Sequence, residues 1–422
     1  MKFVVNGGKK LEGEIKVGGS KNAATPILVA TLLTSRPCVI SNIPLIRDAL
    51  TVIEILERIG SKVEWLGERT VRITNKNIDP TNLPKDLVRQ LRSSILLVGP
   101  ILARFGKIKI HTPGGCHIGV RPMDAHFDAF KELGFRVSYN EAKDIYSLSK
   151  SGKGVSGVTL KEFSVTATEN LLMYGALKAP LKIDIAAAEP HVQDLGKFLI
   201  SLGARIEGLG THSLKIKQKI KSTGGEVKHK VVNDYIEAGT FLVLGAVTKS
   251  DITVSGVPVN DLALPLQKLK EFGVVMDIKG DKVKVKGSKS ELVAVGKVKT
   301  EPYPGFPSDL QAPFAILATQ AKGETLFFES MYEGRLKYLY ELDKMGAAID
   351  ILDSHRARIK GPKQLHGKNV ESIDLRAGVT LVMAALVAKG ESTLHQVEQI
   401  DRGYEHIEER LSKLKADIKR VF

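Results

Sequence analysis

The hydrophobic positions of this chain fall into a pattern that recurs six times. A helical run ending Leu-x-x-apolar-Gly is followed by an alternating run: Leu56 to Val63 around Gly60, Phe130 to Val137 around Gly134, and Phe198 to Ile206 around Gly203. It returns as Leu269 to Met276 around Gly273 and Leu342 to Ile349 around Gly346, and a sixth copy, Leu411 to Ile418, has Lys415 at the glycine position. The spacing is about 70 residues each time, and a fixed period marks a fold assembled from copies of one supersecondary unit. Each glycine reads as the residue just past a helix, where φ > 0 closes the last turn, and the period-two alternation after it reads as strand.

A second helix per unit is predicted at Ala23 to Leu33, Leu87 to Leu102, Thr168 to Leu177, Ile236 to Val247, Leu310 to Ala321 and Ala377 to Ala388. Further strands are predicted at Ile108 to Ile110, Leu181 to Ile185, Ile252 to Val254, Leu326 to Phe328 and Thr393 to His395. Such a module cannot bury its apolar faces alone, so the units must share cores. The expected class is α/β, with three units in each of two domains and a boundary near the polar stretch Gly224 to Asn233. A cleft between two such domains is a common place for a ligand.

Composition adds exclusions. Over 422 residues, 43% hydrophobic and 26% charged positions are ordinary for a globular chain, and no apolar run approaches the roughly 18 residues needed to span a bilayer. The stretch Met1 to Asn6 runs into glycine and lysine without the apolar core of a signal peptide, so a cytosolic protein is expected. Two cysteines, Cys38 and Cys116, exclude a disulfide framework and a cysteine-built metal site. His191 has no second ligand at metal spacing. The net charge of +15 is spread in singles and pairs, with 6% aromatics to stack on bases, which favours small anions over nucleic acid as partners.

The candidate chemistry centres on Pro113-Gly114-Gly115-Cys116-His117-Ile118-Gly119-Val120-Arg121-Pro122-Met123-Asp124. A thiol in a glycine loop with Arg121 nearby is placed for a lowered pKa and proton transfer, whereas a structural cysteine is usually buried. Arg121, Arg335 and Arg402 occupy equivalent loops before the repeat helices, where an arginine adds a bidentate donor for phosphate or carboxylate. Gly18 to Ala23 is a glycine turn into a helix with Lys21 at its start, and it is not a P-loop. Asp309 follows the proline-rigid Pro302 to Ser308, where Ser308 or Asp309 could equally be a helix cap. For Arg92 and for Asp374 with Arg376, a salt bridge is the simple alternative.

Lys21-Asn22, Gly114-Gly115-Cys116 with Ile118-Gly119 and Arg121-Pro122, Phe306-Pro307-Ser308-Asp309, Asp374-Leu375-Arg376 and Asp401-Arg402-Gly403-Tyr404 together resemble the UDP-N-acetylglucosamine 1-carboxyvinyltransferases, over essentially the whole chain and in order. That resemblance implies two inside-out α/β barrel domains, 21–232 and 1–20 plus 233–422, and an active-site cleft between them. It implies transfer of the enolpyruvyl group of phosphoenolpyruvate to the 3-hydroxyl of UDP-N-acetylglucosamine. Lys21, Asn22, Arg121, Arg335, Arg376 and Arg402 correspond to phosphoenolpyruvate contacts, and Asn22, Arg92, Arg121, Pro122, Asp124, Ser164, Val165, Asp309 and Met331 to nucleotide-sugar contacts. Asp309 corresponds to the base, Cys116 to the acid or an aid to phosphate departure, and Lys21 and Arg402 to catalytic cations; no metal or other cofactor is implied. The chain departs from the family at Tyr235 for an arginine, at Thr166 for a common glycine, and at Glu398-Gln399 for an aromatic and a histidine. The sister shikimate-pathway transferase shares the sixfold architecture without the cysteine loop, and a non-catalytic UDP-sugar binder is the remaining alternative.

Overall fold

A computed structural model describes residues 1–114, 122–221 and 224–422. The chain divides into two compact units: residues 1–18 with 233–422, and the described part of 19–232.

In the first unit, helices Tyr235–Val247, Gln311–Gln320 and Leu375–Val387 are buried almost throughout and pack against one another. Such helices are apolar on every side, so they form the interior rather than a half-exposed layer. Each also lies against its own sheet. Tyr235–Val247 packs on Asp251–Ser255 and Lys282–Lys286, Gln311–Gln320 on Gly323–Phe328 and Arg356–Gly361, and Leu375–Val387 on Lys2–Asn6 and Glu391–His395. The start of the chain is woven into these sheets. Lys2–Asn6 sits antiparallel between Glu391–His395 and Asp417–Val421, and Glu12–Lys16 pairs parallel with Asp251–Ser255.

The second unit repeats the scheme with helices Lys21–Ala30, Val98–Phe105, Val165–Lys178 and Pro190–Ser201 and three further sheets. Its last strand, Val227–Lys230, lies inside the polar stretch expected as a boundary and pairs parallel with Cys38–Ser41. The molecule therefore has six separate small sheets among the described residues, five of four strands and one of three, each with two free edges.

The repeat positions behave as the helix-end reading requires. Gly60, Gly134, Gly203, Gly273 and Gly346 all have φ between 81° and 105°, and Lys415 takes the same left-handed region at 69°. The helix expected over Leu87 to Leu102 is broken into Lys85–Val88, a 3-10 turn Arg92–Leu97 and a new helix from Val98. Pro100 falls in the first turn of that helix, where its missing N–H leaves no bond unmade.

Candidate functional site

Four of the inner helices start on a polar cap. Ser20 accepts from Ala23 N, Ser164 from Ala167 N, Asp234 from Ile236 N and Glu237 N, and Asp374 from Arg376 N and Ala377 N. Asp374 is thus a cap rather than one half of a simple salt bridge. Ser308 and Asp309 do the opposite of the capping alternative: neither caps the following helix, and both turn towards other partners.

In the unit that contains residues 233–422, Asp309 lies between two arginines. Its Oδ1 accepts from Arg335 Nη2 at 2.5 Å and its Oδ2 from Arg376 Nε at 3.2 Å. Arg376 Nη2 is 3.9 Å from Asp234 Oδ2, and its guanidinium lies 5.2 Å from the Tyr404 ring. The side chains of Arg335 and Arg376 are 6% and 3% exposed, while Asp309 keeps 28%, so the carboxylate is the open member of the cluster. Burial opposes charge on Arg335, but Asp309, Asp374 and Glu329 outweigh it and raise the guanidinium above its ordinary value. Arg376 is raised in the same way, with Tyr404, Asp309 and Asp234 overcoming burial. Asp234 itself is pushed up by burial, which Arg376 only partly offsets. Arg376 Nη1 is buried without a hydrogen-bond partner among the described residues, an unused donor on a fixed cation.

Glu329, which sequence reasoning missed, holds the surrounding loop. It is fully buried, accepts from Thr300 Oγ1 and Ser308 Oγ at 2.9 and 2.7 Å, and accepts from the backbone N–H groups of Met331 and Tyr332. Met331 is therefore fixed through its backbone. Arg402 ends the 3-10 turn Val397–Arg402 and donates to Gln399 Oε1 at 3.4 Å, so Gln399 touches the arginine that it precedes.

In the other unit, Lys21 opens helix Lys21–Ala30 with its Nζ 3.2 Å from Asp48 Oδ2, and Asn22 follows it into the first turn. Arg92 Nη2 donates to Pro122 O at 3.2 Å, and Asp124 opens helix Asp124–Glu132. Ser164 caps the helix that Val165 begins. Thr166 has a defined partner. Asn170 Oδ1 is committed to Gly99 N at 2.6 Å, so Asn170 Nδ2 faces Ile95 O and His126 Nδ1, both at 3.0 Å. His126 Nδ1 must then accept, which leaves the ring proton on Nε2, donating to Thr166 Oγ1 at 3.0 Å. The Thr166 hydroxyl is thus joined to the buried His126 and Asn170.

Cys116 and Arg121 lie outside the described residues, as does any geometry of their loop. Its stem is described, and a Cβ on Gly114 would stand 1.7 Å from Arg89 O. That glycine serves close backbone approach. The other thiol, Cys38, is buried and pushed up to about 12 by desolvation, which makes it inert at neutral pH. An open groove of about 580 Å³ lined by Arg72, Glu226, Lys228 and His229 among others contains none of the candidate residues. No group of three or more potential metal ligands occurs among the described residues, and no helix among them is long and apolar enough to cross a membrane.

Comparison with known proteins gives consistent relatives. A model of the EPSP synthase (3-phosphoshikimate 1-carboxyvinyltransferase) family matches residues 5–411. The chain is 39% identical over 428 residues to the UDP-N-acetylglucosamine 1-carboxyvinyltransferase of Bradyrhizobium diazoefficiens, with 100% of this chain and 98% of that protein covered. Among solved structures it is similar to the enolpyruvyl transferase NikO from Streptomyces tendae, at a TM-score of 0.90 and 25% identity, covering 100% of this chain and 98% of the other. EPSP synthase from Acinetobacter baumannii aligns over 100% of both chains at a TM-score of 0.74 and 18% identity, a likeness of fold alone.

Proposed function

Because the chain belongs to the family of UDP-N-acetylglucosamine 1-carboxyvinyltransferases, we propose that it transfers the enolpyruvyl group of phosphoenolpyruvate to the 3-hydroxyl of UDP-N-acetylglucosamine and releases phosphate. This is the committed step towards peptidoglycan, carried out in the cytoplasm. Each unit is an inside-out barrel of three repeats around its buried helices.

The single observation that carries the reading is the carboxylate of Asp309 held between Arg335 and Arg376. A general base needs an accessible carboxylate, and a trianionic substrate needs fixed cations that do not reorganise when it arrives. Both are present in one cluster. Both carboxylate oxygens of Asp309 accept from guanidinium groups. Phosphoenolpyruvate brings a carboxylate that can take the donor Nη1 of Arg376, which no other group among the described residues uses.

The reaction then runs in two steps. Asp309 takes the proton of the sugar 3-hydroxyl as its oxygen adds to C2, and C3 receives a proton, giving a tetrahedral ketal. Loss of a C3 proton with cleavage of the C2–O bond expels phosphate and restores the double bond. Cys116 serves as the acid at C3 or assists phosphate departure. Lys21, Arg121 and Arg402 hold the phosphate, and Arg335, Arg376 and Arg402 the carboxylate. Asn22, Arg92, Pro122, Asp124, Ser164, Val165 and Met331 contribute to the nucleotide-sugar site.

Phosphate release tests this directly. It is expected with phosphoenolpyruvate plus UDP-N-acetylglucosamine and not with phosphoenolpyruvate plus shikimate 3-phosphate. The reverse preference would assign the sister activity, and no release with either acceptor, alongside retained UDP-sugar binding, would leave a binding protein.

A further inference from the structure

The segment that carries Arg402 and Tyr404 is held in an unusual way. It leaves strand Glu391–His395 through Gln396 at φ 56° and enters helix Ile407–Lys413 through His406 at φ 39°. Both are non-glycine residues in the left-handed region, a conformation that persists only where surrounding contacts impose it. Inside the segment, Val397, Ile400 and Tyr404 are fully buried, while Arg402 keeps partial exposure. The backbone is thus anchored on one side and presents its arginine on the other.

The contact that closes the arrangement comes from the last strand. Arg420, on Asp417–Val421, donates from Nη1 to Asp401 Oδ2 at 2.8 Å and from Nη2 to Asp401 Oδ1 at 2.6 Å, a parallel two-bond grip on the residue next to Arg402. Its Nη2 and Nε also reach Glu408, at the start of the following helix, with the Nη2 bond at 3.0 Å. The guanidinium stands 4.8 Å from the ring of Phe3, its cross-strand partner on Lys2–Asn6, so its own position is set by the sheet. One rigid fork therefore fixes both ends of the stretch between Asp401 and Glu408, which lysine could not do.

We infer that Arg420 is a positioning residue for phosphoenolpyruvate, acting through Asp401 to aim Arg402. The inference rests on the role of Arg402 proposed above. Arg420 itself does not touch substrate. Its effect is confined to the angle and register at which the neighbouring arginine meets the anionic substrate, where small misplacements are costly.

Steady-state kinetics of the full chain, with each substrate varied in turn, separate this role from simple structural support. Arg420→Lys and Arg420→Gln are expected to lower kcat/KM for phosphoenolpyruvate about tenfold or more, with KM for UDP-N-acetylglucosamine within about twofold of wild type. Asp401→Asn should reproduce that split. Glu408→Gln should lower the melting temperature comparably yet leave the phosphoenolpyruvate dependence near wild type, because the Asp401 grip remains. Unchanged phosphoenolpyruvate kinetics in the Arg420 and Asp401 variants of an active enzyme would overturn the inference alone. So would a Glu408→Gln variant with the same kinetic split. Failure of the wild type to turn over the two substrates would overturn the functional reading on which the inference stands.

Discussion

Asp309 and Arg335, 26 positions apart, meet through a 2.5 Å bond between a partly open carboxylate and a buried guanidinium. The pair joins the proposed base to a proposed substrate clamp, so substitutions on its two sides should differ in kind. Asp309→Asn preserves size and keeps an acceptor for one arginine while removing the base. It is expected to lower kcat by about 10²- to 10⁴-fold, with a smaller change in KM for phosphoenolpyruvate. Arg335→Lys keeps a charge but loses the planar fork, and is expected chiefly to raise KM for phosphoenolpyruvate. Initial-rate measurements on both variants check the division; a large kcat loss in Arg335→Lys at saturating substrate would remove it.

The Thr166 network makes a stability prediction. His126 is 2% exposed and Asn170 is fully buried, and His126 donates from Nε2 to the Thr166 hydroxyl. Thr166→Val keeps the shape and removes the hydroxyl that His126 Nε2 reaches, and is expected to cost about 0.5–1.5 kcal/mol. Thr166→Ser should cost less because the oxygen remains. Denaturant unfolding of the two variants is the measurement, and equal stability of Thr166→Val and wild type would show the hydroxyl to be dispensable there.

Much of the fold was legible because its signals are local. The positive φ of Gly60 through Gly346 follows from a helix-end pattern visible within a few residues, and the inner helices show as nearly unbroken apolar runs. Asp309, Arg335 and Arg376 could be named as candidates from the sequence, but their mutual contact could not, since Arg376 and Asp309 are 67 positions apart. Glu329, Asp48 and Tyr404 went unassigned because each acts through partners that only the tertiary fold supplies. Asp374, for which the alternative was a salt bridge, caps a helix, while Ser308 and Asp309, for which it was a cap, bond elsewhere; a helix-start acid or hydroxyl looks identical in either role. The helix drawn through Leu87 to Leu102 overlooked what Pro100 permits at a first turn.

Glu169 predicts a pH dependence. It is buried, and desolvation, reinforced by the charge of Glu189, raises its carboxyl well above the ordinary glutamate value. The folded state therefore binds this proton more tightly than the unfolded chain, whose glutamate titrates near about 4.3. Its contribution is fully present below that pH and is lost as pH rises through the folded pKa. Glu169→Gln resembles the protonated form and should be relatively more stable than wild type at pH 8 than at pH 4. Melting curves at the two values test the sign, and a wild-type advantage that grows with pH would contradict it.

The two thiols should separate cleanly towards an electrophile. Cys38 is buried in strand Cys38–Ser41 with its pKa pushed up to about 12, so almost none of it is thiolate near neutral pH and little of its surface is open to attack. Thiolate fraction and access together set reactivity. Cys116 has a glycine-rich setting and Arg121 close in sequence, the composition expected of a lowered thiol pKa. An epoxide such as fosfomycin is therefore expected to add one label per chain at Cys116, measured as an intact-mass increase, with Cys116→Ser unlabelled over the same period. Cys38→Ala should label like wild type. Saturating UDP-N-acetylglucosamine should alter the labelling rate at Cys116 and protect its loop from proteolysis. Label retained in Cys116→Ser would transfer reactivity to the buried thiol and remove the cysteine loop from the proposed chemistry.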